Sequence, residues 1–160
     1  MIGDGKLRER LMAEAADLPI AFPGFEPDRQ RLARALSSSD IYVSAMADET
    51  FGISVLEAQA AGLPVVGVAG GAMPARVPPP LGRLGPVDDV AAMAAHVADL
   101  WAGDHRAIGC AARAHVVERF SWTATFDRLL GEIYSQALAR AKSRVRVDRR
   151  ETVRASDPPC

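Results

Sequence analysis

Cysteine is nearly absent from this chain: two among 160 residues, Cys110 inside a helical pattern and Cys160 at the end of a polar tail. Two thiols so placed make no disulfide framework and fit a reducing compartment. Long apolar runs are missing as well. No stretch approaches the ~20 residues that a membrane span needs. Met1-Ile2 is followed at once by Gly3-Asp4-Gly5-Lys6, which lacks the apolar core of a signal peptide. The expected location is therefore cytoplasmic. The three histidines have no ligand spacing, so no metal is expected. Charge of one sign is scarce too, with a formal net of −1. That balance hides a basic tail: from Lys142 onward six basic residues face three acidic ones, a net of +3 against −4 for the rest. An acidic body excludes general nucleic-acid binding, and the tail is the one feature that suits an anionic membrane surface.

What is present is the material of a single globular α/β domain, 49% hydrophobic, with no internal repeat. Met1-Ile2-Gly3 reads as the end of a strand, and Leu7, Leu11, Ala15 and Leu18 follow at helical spacing. Ile20-Ala21-Phe22, between Pro19 and Pro23-Gly24, predicts a brief buried strand. Pro27-Asp28 opens a second helix that ends at Ser37-Ser38-Ser39. Ile41 to Ala45 reads as a strand, about Ile53 to Ala61 as a helix, and Val65 to Ala69 as a parallel strand covered on both faces. This β-α-β-α-β-α-β order predicts a Rossmann-like, doubly wound parallel sheet.

Gly70 to Pro86, rich in Gly and Pro, reads mostly as loop, with a short edge strand near Leu84. Three C-terminal helices follow: one behind an Asp88 N-cap, one between Asp104 and Ser121, and one capped by Ser121. Trp101 and Trp122 sit on apolar stripes and are expected in the core; His96 and His115 are expected at helix surfaces or boundaries. The domain is expected over residues 1–142, and the basic tail 143–160 is expected to be disordered.

The densest chemistry lies between Ser44 and Gly71. Glu49 and Glu57 are separated by seven residues, with Phe51-Gly52 between them where a loop turns into a helix. Open parallel sheets bind ligands beyond the carboxyl ends of their strands, where this loop and the loops at Gly3-Asp4-Gly5 and Gly70-Gly71 project. The first N–H groups of the helix, at Gly52, Ile53 and Ser54, are unpaired and carry partial positive charge, a natural seat for a pyrophosphate. Glu57, a turn further in, can accept hydrogen bonds from the vicinal hydroxyls of a ribose, and Glu49 from a sugar. Such charge-assisted bonds contribute roughly 1.5–3 kcal/mol each. On the residues alone, a surface acid that merely complements the helix dipole explains this pattern about as well.

The segments Gly3-Asp4-Gly5, Phe22-Pro23-Gly24-Phe25, Ser39-Asp40-Ile41, Glu49-Thr50-Phe51-Gly52-Ile53-Ser54-Val55-Leu56-Glu57, Gly62-Leu63-Pro64-Val65-Val66, Gly70-Gly71 and Phe120-Ser121-Trp122 together resemble the C-terminal, donor-binding half of a retaining glycosyltransferase of the GT-B fold (glycosyl transferases group 1). The resemblance runs from Gly3 to about Leu138. It implies Glu49 as the catalytic candidate and as a contact to the donor sugar. It implies Phe51, Gly52, Ile53 and Gly71 against sugar and phosphate, Glu57 on the ribose, and Phe25 near the base. The substrate would be a nucleotide-sugar, with no cofactor and no metal, and the acceptor a glycan or a lipid.

Two departures stand out. Pro74 is followed by Ala75-Arg76 where the family commonly has an acid. The N-terminal acceptor-binding domain and the first strand of the C-terminal domain have no counterpart here, so the resemblance implies a donor-binding fragment, inactive alone, that a separate chain would complete. A non-catalytic nucleotide-sugar-binding or interaction module remains open at this point, as does another GT-B enzyme such as a nucleotide-sugar epimerase.

Overall fold

Local signals set most of the helix boundaries. A computed structural model describes residues 1–142; the tail expected to be disordered, with Cys160, lies outside the described residues. After α1 (Arg8–Glu14), Asp28 caps α2 (Arg29–Ser37) by accepting from the N–H groups of Gln30 and Arg31, as its sequence position predicts. Helix α3 (Ile53–Ala60) ends in a Schellman turn: the Gly62 N–H donates to Gln59 O at 2.9 Å and the Leu63 N–H to Ala58 O at 3.1 Å, with Gly62 in the left-handed region. Pro64 follows and starts the next strand.

Three short parallel strands form the sheet: β1 (Tyr42–Ser44), β2 (Val65–Val68) and β3 (Gly82–Gly85), in the order β1-β2-β3. Tyr42 pairs with Val65 and Ser44 with Gly67 on one side of β2; Val65 pairs with Gly82 and Val68 with Gly85 on the other. All four residues of β2 are buried, as a continuous apolar run covered on both faces requires. The core cluster joins Val55 of α3, Val65 of β2, and Met73 and Val77 at the short helix α4 (Met73–Arg76), with Tyr42 and Leu84 at its margin. Gly67 leaves the space that Met73 fills, since a Cβ there would come within 2.4 Å of Met73 Cε.

Several expectations need correction. Neither Met1–Gly3 nor Ile20–Phe22 forms a strand; what remains is a single parallel bridge between Ile2 and Gly24, with the Gly3 N–H donating to Gly24 O at 2.8 Å. A three-residue run hemmed in by prolines has too few N–H groups to build a ladder. The Gly70-to-Pro86 segment is mostly loop with a short edge strand at Leu84, as expected, but it also contains the unexpected short helix α4. Asp89 rather than Asp88 caps α5 (Val90–Ala102); Asp88 has φ 63° and turns the chain. Helix α6 (His105–Phe120) begins beside Asp104, whose carboxylate accepts from the Ala107 N–H.

Residues up to Ala114 make one compact unit and those from His115 a second. The second contains α7 (Trp122–Arg128), capped by Ser121 as expected, and a π-helical turn, Leu129–Tyr134, that runs into further α-helix over 135–142. Trp101 and Trp122 are exposed, contrary to the core assignment: Trp101 stacks on His105 and Trp122 on Phe126. Helical periodicity identifies a face and is silent on what covers it. No described helix is long and apolar enough to cross a membrane.

Met73 is fully buried in the centre of the cluster. Met73→Ala is expected to cost about 2–5 kcal/mol, read as a lower urea midpoint at unchanged slope.

Candidate functional site

The loop after β1 and the turn after β2 are laced together through one residue. Glu49 Oε1 accepts from the Gly52 N–H at 2.8 Å and, at a longer 3.3 Å, from the Phe51 N–H. Its backbone carbonyl accepts from the Ala72 N–H at 2.7 Å. Glu49 thus supplies the cap that α3 cannot get from its own N-cap residue, which is Gly52. Gly52 is in the left-handed region at φ 80°, which lets the chain swing from the acidic loop into the helix.

Gly71, at φ 51°, lies so close to Glu49 that an added Cβ would be 2.2 Å from its carbonyl oxygen. Gly70 meets the Ala47 carbonyl in the same way. The Gly-Gly turn is therefore a seat for the acidic loop. This gives Gly71 a structural role beside its expected place near the ligand.

The first turn of α3 keeps the N–H groups of Ile53 and Ser54 without a carbonyl partner inside the helix, and both residues are exposed. The geometry differs from the expectation in one respect: the Gly52 N–H is already taken by Glu49. The carboxylate also offsets part of the helix dipole at the end where an anion would sit.

The counter-charge comes from a residue named above only as part of a departure and given no role. Arg76, at the end of α4, donates from Nε to Phe51 O at 2.6 Å, and its guanidinium lies 4.4 Å from the centre of the Phe51 ring. Gln59, fully buried on α3, donates from Nε2 to Arg76 O at 2.9 Å and ties the two helices together. Ala75 follows Pro74 where the resemblance led one to look for an acid, and Arg76 is the next residue. Its role was not legible because its Gly- and Pro-rich surroundings read as loop and its contact with Phe51 spans 25 residues.

Glu57 is one turn beyond Ile53 and pairs with Arg29, the first residue of α2, at 2.7 Å. The Arg29 side chain is 75% exposed and that of Glu57 30%. A pair so open to water contributes about 0–1 kcal/mol, less than the two charge-assisted bonds of roughly 1.5–3 kcal/mol each that a vicinal diol would make. Glu57 is therefore available to a ribose. Beside it, a cleft of about 470 Å³ between α2 and α3 is lined by Leu32, Leu36, Ala60, Ala61 and Arg113.

The structure brings Glu49, Phe51, Gly52, Ile53 and Gly71 together, with Glu57 one helical turn away. Phe25, expected near the base, is exposed on the loop after the Ile2–Gly24 bridge.

Gly71→Ala is expected to destabilise the fold by more than about 2 kcal/mol, because strain at positive φ adds to a clash with backbone. Thermal unfolding followed by circular dichroism reads this directly.

The family model described as "Glycosyl transferases group 1" matches residues 1–103. The chain is 45% identical over 64 residues, 40% of its length, to a GDP-mannose-dependent alpha-(1-6)-phosphatidylinositol dimannoside mannosyltransferase of Mycobacterium tuberculosis, of which it covers 17%. It is 36% identical over 145 residues, 85% of its length, to a D-inositol 3-phosphate glycosyltransferase of Segniliparus rotundus, of which it covers 31%. Among solved structures, sucrose-phosphate synthase from Thermosynechococcus elongatus superposes with a TM-score of 0.71 at 29% identity, over 84% of this chain and 34% of the synthase. The chain thus spans less than a third of the length of these curated relatives. The laced acidic loop, the open first turn of α3 and the parallel α/β sheet belong to a protein of the glycosyl transferases group 1 family, with a GT-B-type fold.

Proposed function

We propose that this chain is the donor-binding half of a retaining hexosyltransferase, which holds a nucleoside-diphosphate sugar at the N-terminus of α3 for transfer to a glycan or lipid acceptor. The observation that carries the reading is the Glu49 cap, which fixes a carboxylate beside the exposed Ile53 and Ser54 N–H groups while Glu57 stands one turn further along.

In this arrangement the diphosphate accepts from the Ile53 and Ser54 N–H groups, and the Arg76 guanidinium beside Phe51 offsets the charge of Glu49. The ribose takes the Glu57 carboxylate from Arg29. The sugar lies toward Glu49 and the Gly71 turn. As the bond from the anomeric carbon to the diphosphate breaks, positive charge grows on the sugar and negative charge on the leaving group. Glu49 favours the first and the N-terminus of α3 the second, and both are fixed before reaction. The GDP-mannose dependence of the mycobacterial relative supports a nucleotide-sugar donor. Residues beyond this sequence, in the same or another chain, supply the acceptor wall of the cleft. This is in keeping with the small share of the relatives that the chain spans. No cofactor or metal enters the scheme.

The chain is expected to bind GDP or UDP measurably in isothermal titration, and Glu57→Gln to weaken that binding about tenfold, the equivalent of 1.4 kcal/mol. Absence of heat with every nucleoside diphosphate and nucleotide-sugar at millimolar concentration would contradict the reading. Glu49→Ala is expected to lower stability by about 1 kcal/mol through loss of the cap, and to abolish any preference for the nucleotide-sugar over the bare diphosphate. An unchanged preference would remove the sugar contact.

A further inference from the structure

Among the described residues Gln59 is the one polar side chain in the buried set, on the same helix as the buried Val55 and Ala58. Its Nε2 donates to Arg76 O at 2.9 Å, and its Oε1, buried as well, has no partner. That bond fixes the orientation of the carboxamide, because only its nitrogen can face a carbonyl oxygen. A buried oxygen left without a partner costs at least as much as an ordinary hydrogen bond contributes. Methionine has similar reach and no such oxygen, so folding alone gains little from glutamine at this position. What the glutamine supplies is its single bond, and that bond ends on Arg76.

Arg76 ends α4, a helix of four residues that has no stability of its own. The start of α4 is tied where the Ala72 N–H donates to Glu49 O, and its first residue, Met73, is sunk in the core. Gln59 ties the other end. From there the Arg76 side chain runs back over the first turn of α3, so that a Cβ on Gly52 would come 3.2 Å from Arg76 Cγ. Its Nε then donates to Phe51 O at 2.6 Å while the guanidinium lies 4.4 Å from the centre of the Phe51 ring. Two contacts, one directional and one over a ring face, must be met together. A shift of the Arg76 backbone forfeits one of them, whatever freedom the side chain has. We infer that Gln59 is a positioning residue for the donor site and acts through Arg76: its buried amide sets the backbone from which the guanidinium reaches the diphosphate. This inference rests on the donor-site reading above and adds to it a residue that, being fully buried, cannot touch the ligand.

The full chain, Gln59→Met, Arg76→Ala and the double variant are compared by urea unfolding and by isothermal titration with GDP. Gln59→Met is expected to keep or raise the urea midpoint and yet to weaken GDP binding about fivefold, against about tenfold for Arg76→Ala. On the Arg76→Ala background, Gln59→Met is expected to change the affinity by less than about twofold, because the guanidinium that it positions is gone. The Arg76 Nε resonance of the isotopically labelled protein is expected to move in Gln59→Met before any ligand is added. Gln59→Leu serves as a second apolar variant should the methionine fold poorly. An unchanged GDP affinity in folded Gln59→Met, or a loss just as large on the Arg76→Ala background, would overturn the inference and leave the donor-site reading standing. Loss of the fold in both apolar variants would make Gln59 a purely structural residue and overturn it as well. Absence of GDP binding by the parent chain would remove both readings together.

Discussion

Everything proposed for the site hangs on the double grip of Glu49. Its carboxylate holds the first turn of α3 through the Gly52 N–H, and its carbonyl holds the Ala72 N–H that follows the Gly-Gly turn. One residue therefore ties together the segments that follow β1 and β2, where a parallel sheet presents its loops to a ligand. Neither grip tolerates bulk at the facing position, which is why Gly71 sits against the Glu49 backbone and Gly52 turns at positive φ. Arg76 completes the bracket from the far side by fixing the Phe51 carbonyl and covering its ring. The site is held by backbone contacts on short loops, and its precision comes from the buried strand β2 and Met73 beneath it.

This organisation also decides how charge is distributed. A bare helix N-terminus would favour any anion. With Glu49 in place, the anion must be one that gains enough from Ile53, Ser54 and Arg76 to offset a nearby carboxylate, and whose other end has hydroxyls to offer. Glu57 adds a second acceptor held in reserve by a weak, solvent-exposed pair with Arg29. A diphosphate linked on both sides to sugars meets these demands better than inorganic phosphate.

How much of this could be read from the sequence depends on whether each signal was local. Helices α2, α3 and α7 and strand β2 were legible because Asp28, Gly62, Pro64 and Ser121 act on their own neighbours and Val65–Val68 is continuously apolar. The expected strands at Met1–Gly3 and Ile20–Phe22 reduced to one bridge because a strand is made by its partner, and the local run says nothing of the partner. Trp101 and Trp122 were misplaced for a related reason, since a stripe at helical spacing is the same whether covered or bare. In the site, the spacing of Glu49, Gly52 and Glu57 was visible, while the Arg29 and Arg76 contacts depend on tertiary approach across 28 and 25 residues.

The central claim is that the first turn of α3, held by Glu49, is where the diphosphate binds. Backbone amide chemical shifts of the isotopically labelled chain, followed during titration with a nucleoside diphosphate, test it residue by residue. The account predicts that the Ile53 and Ser54 amides move most, with Gly71 and the Arg76 side chain responding. Saturable shifts confined to other residues, with Ile53 and Ser54 unmoved, would contradict it.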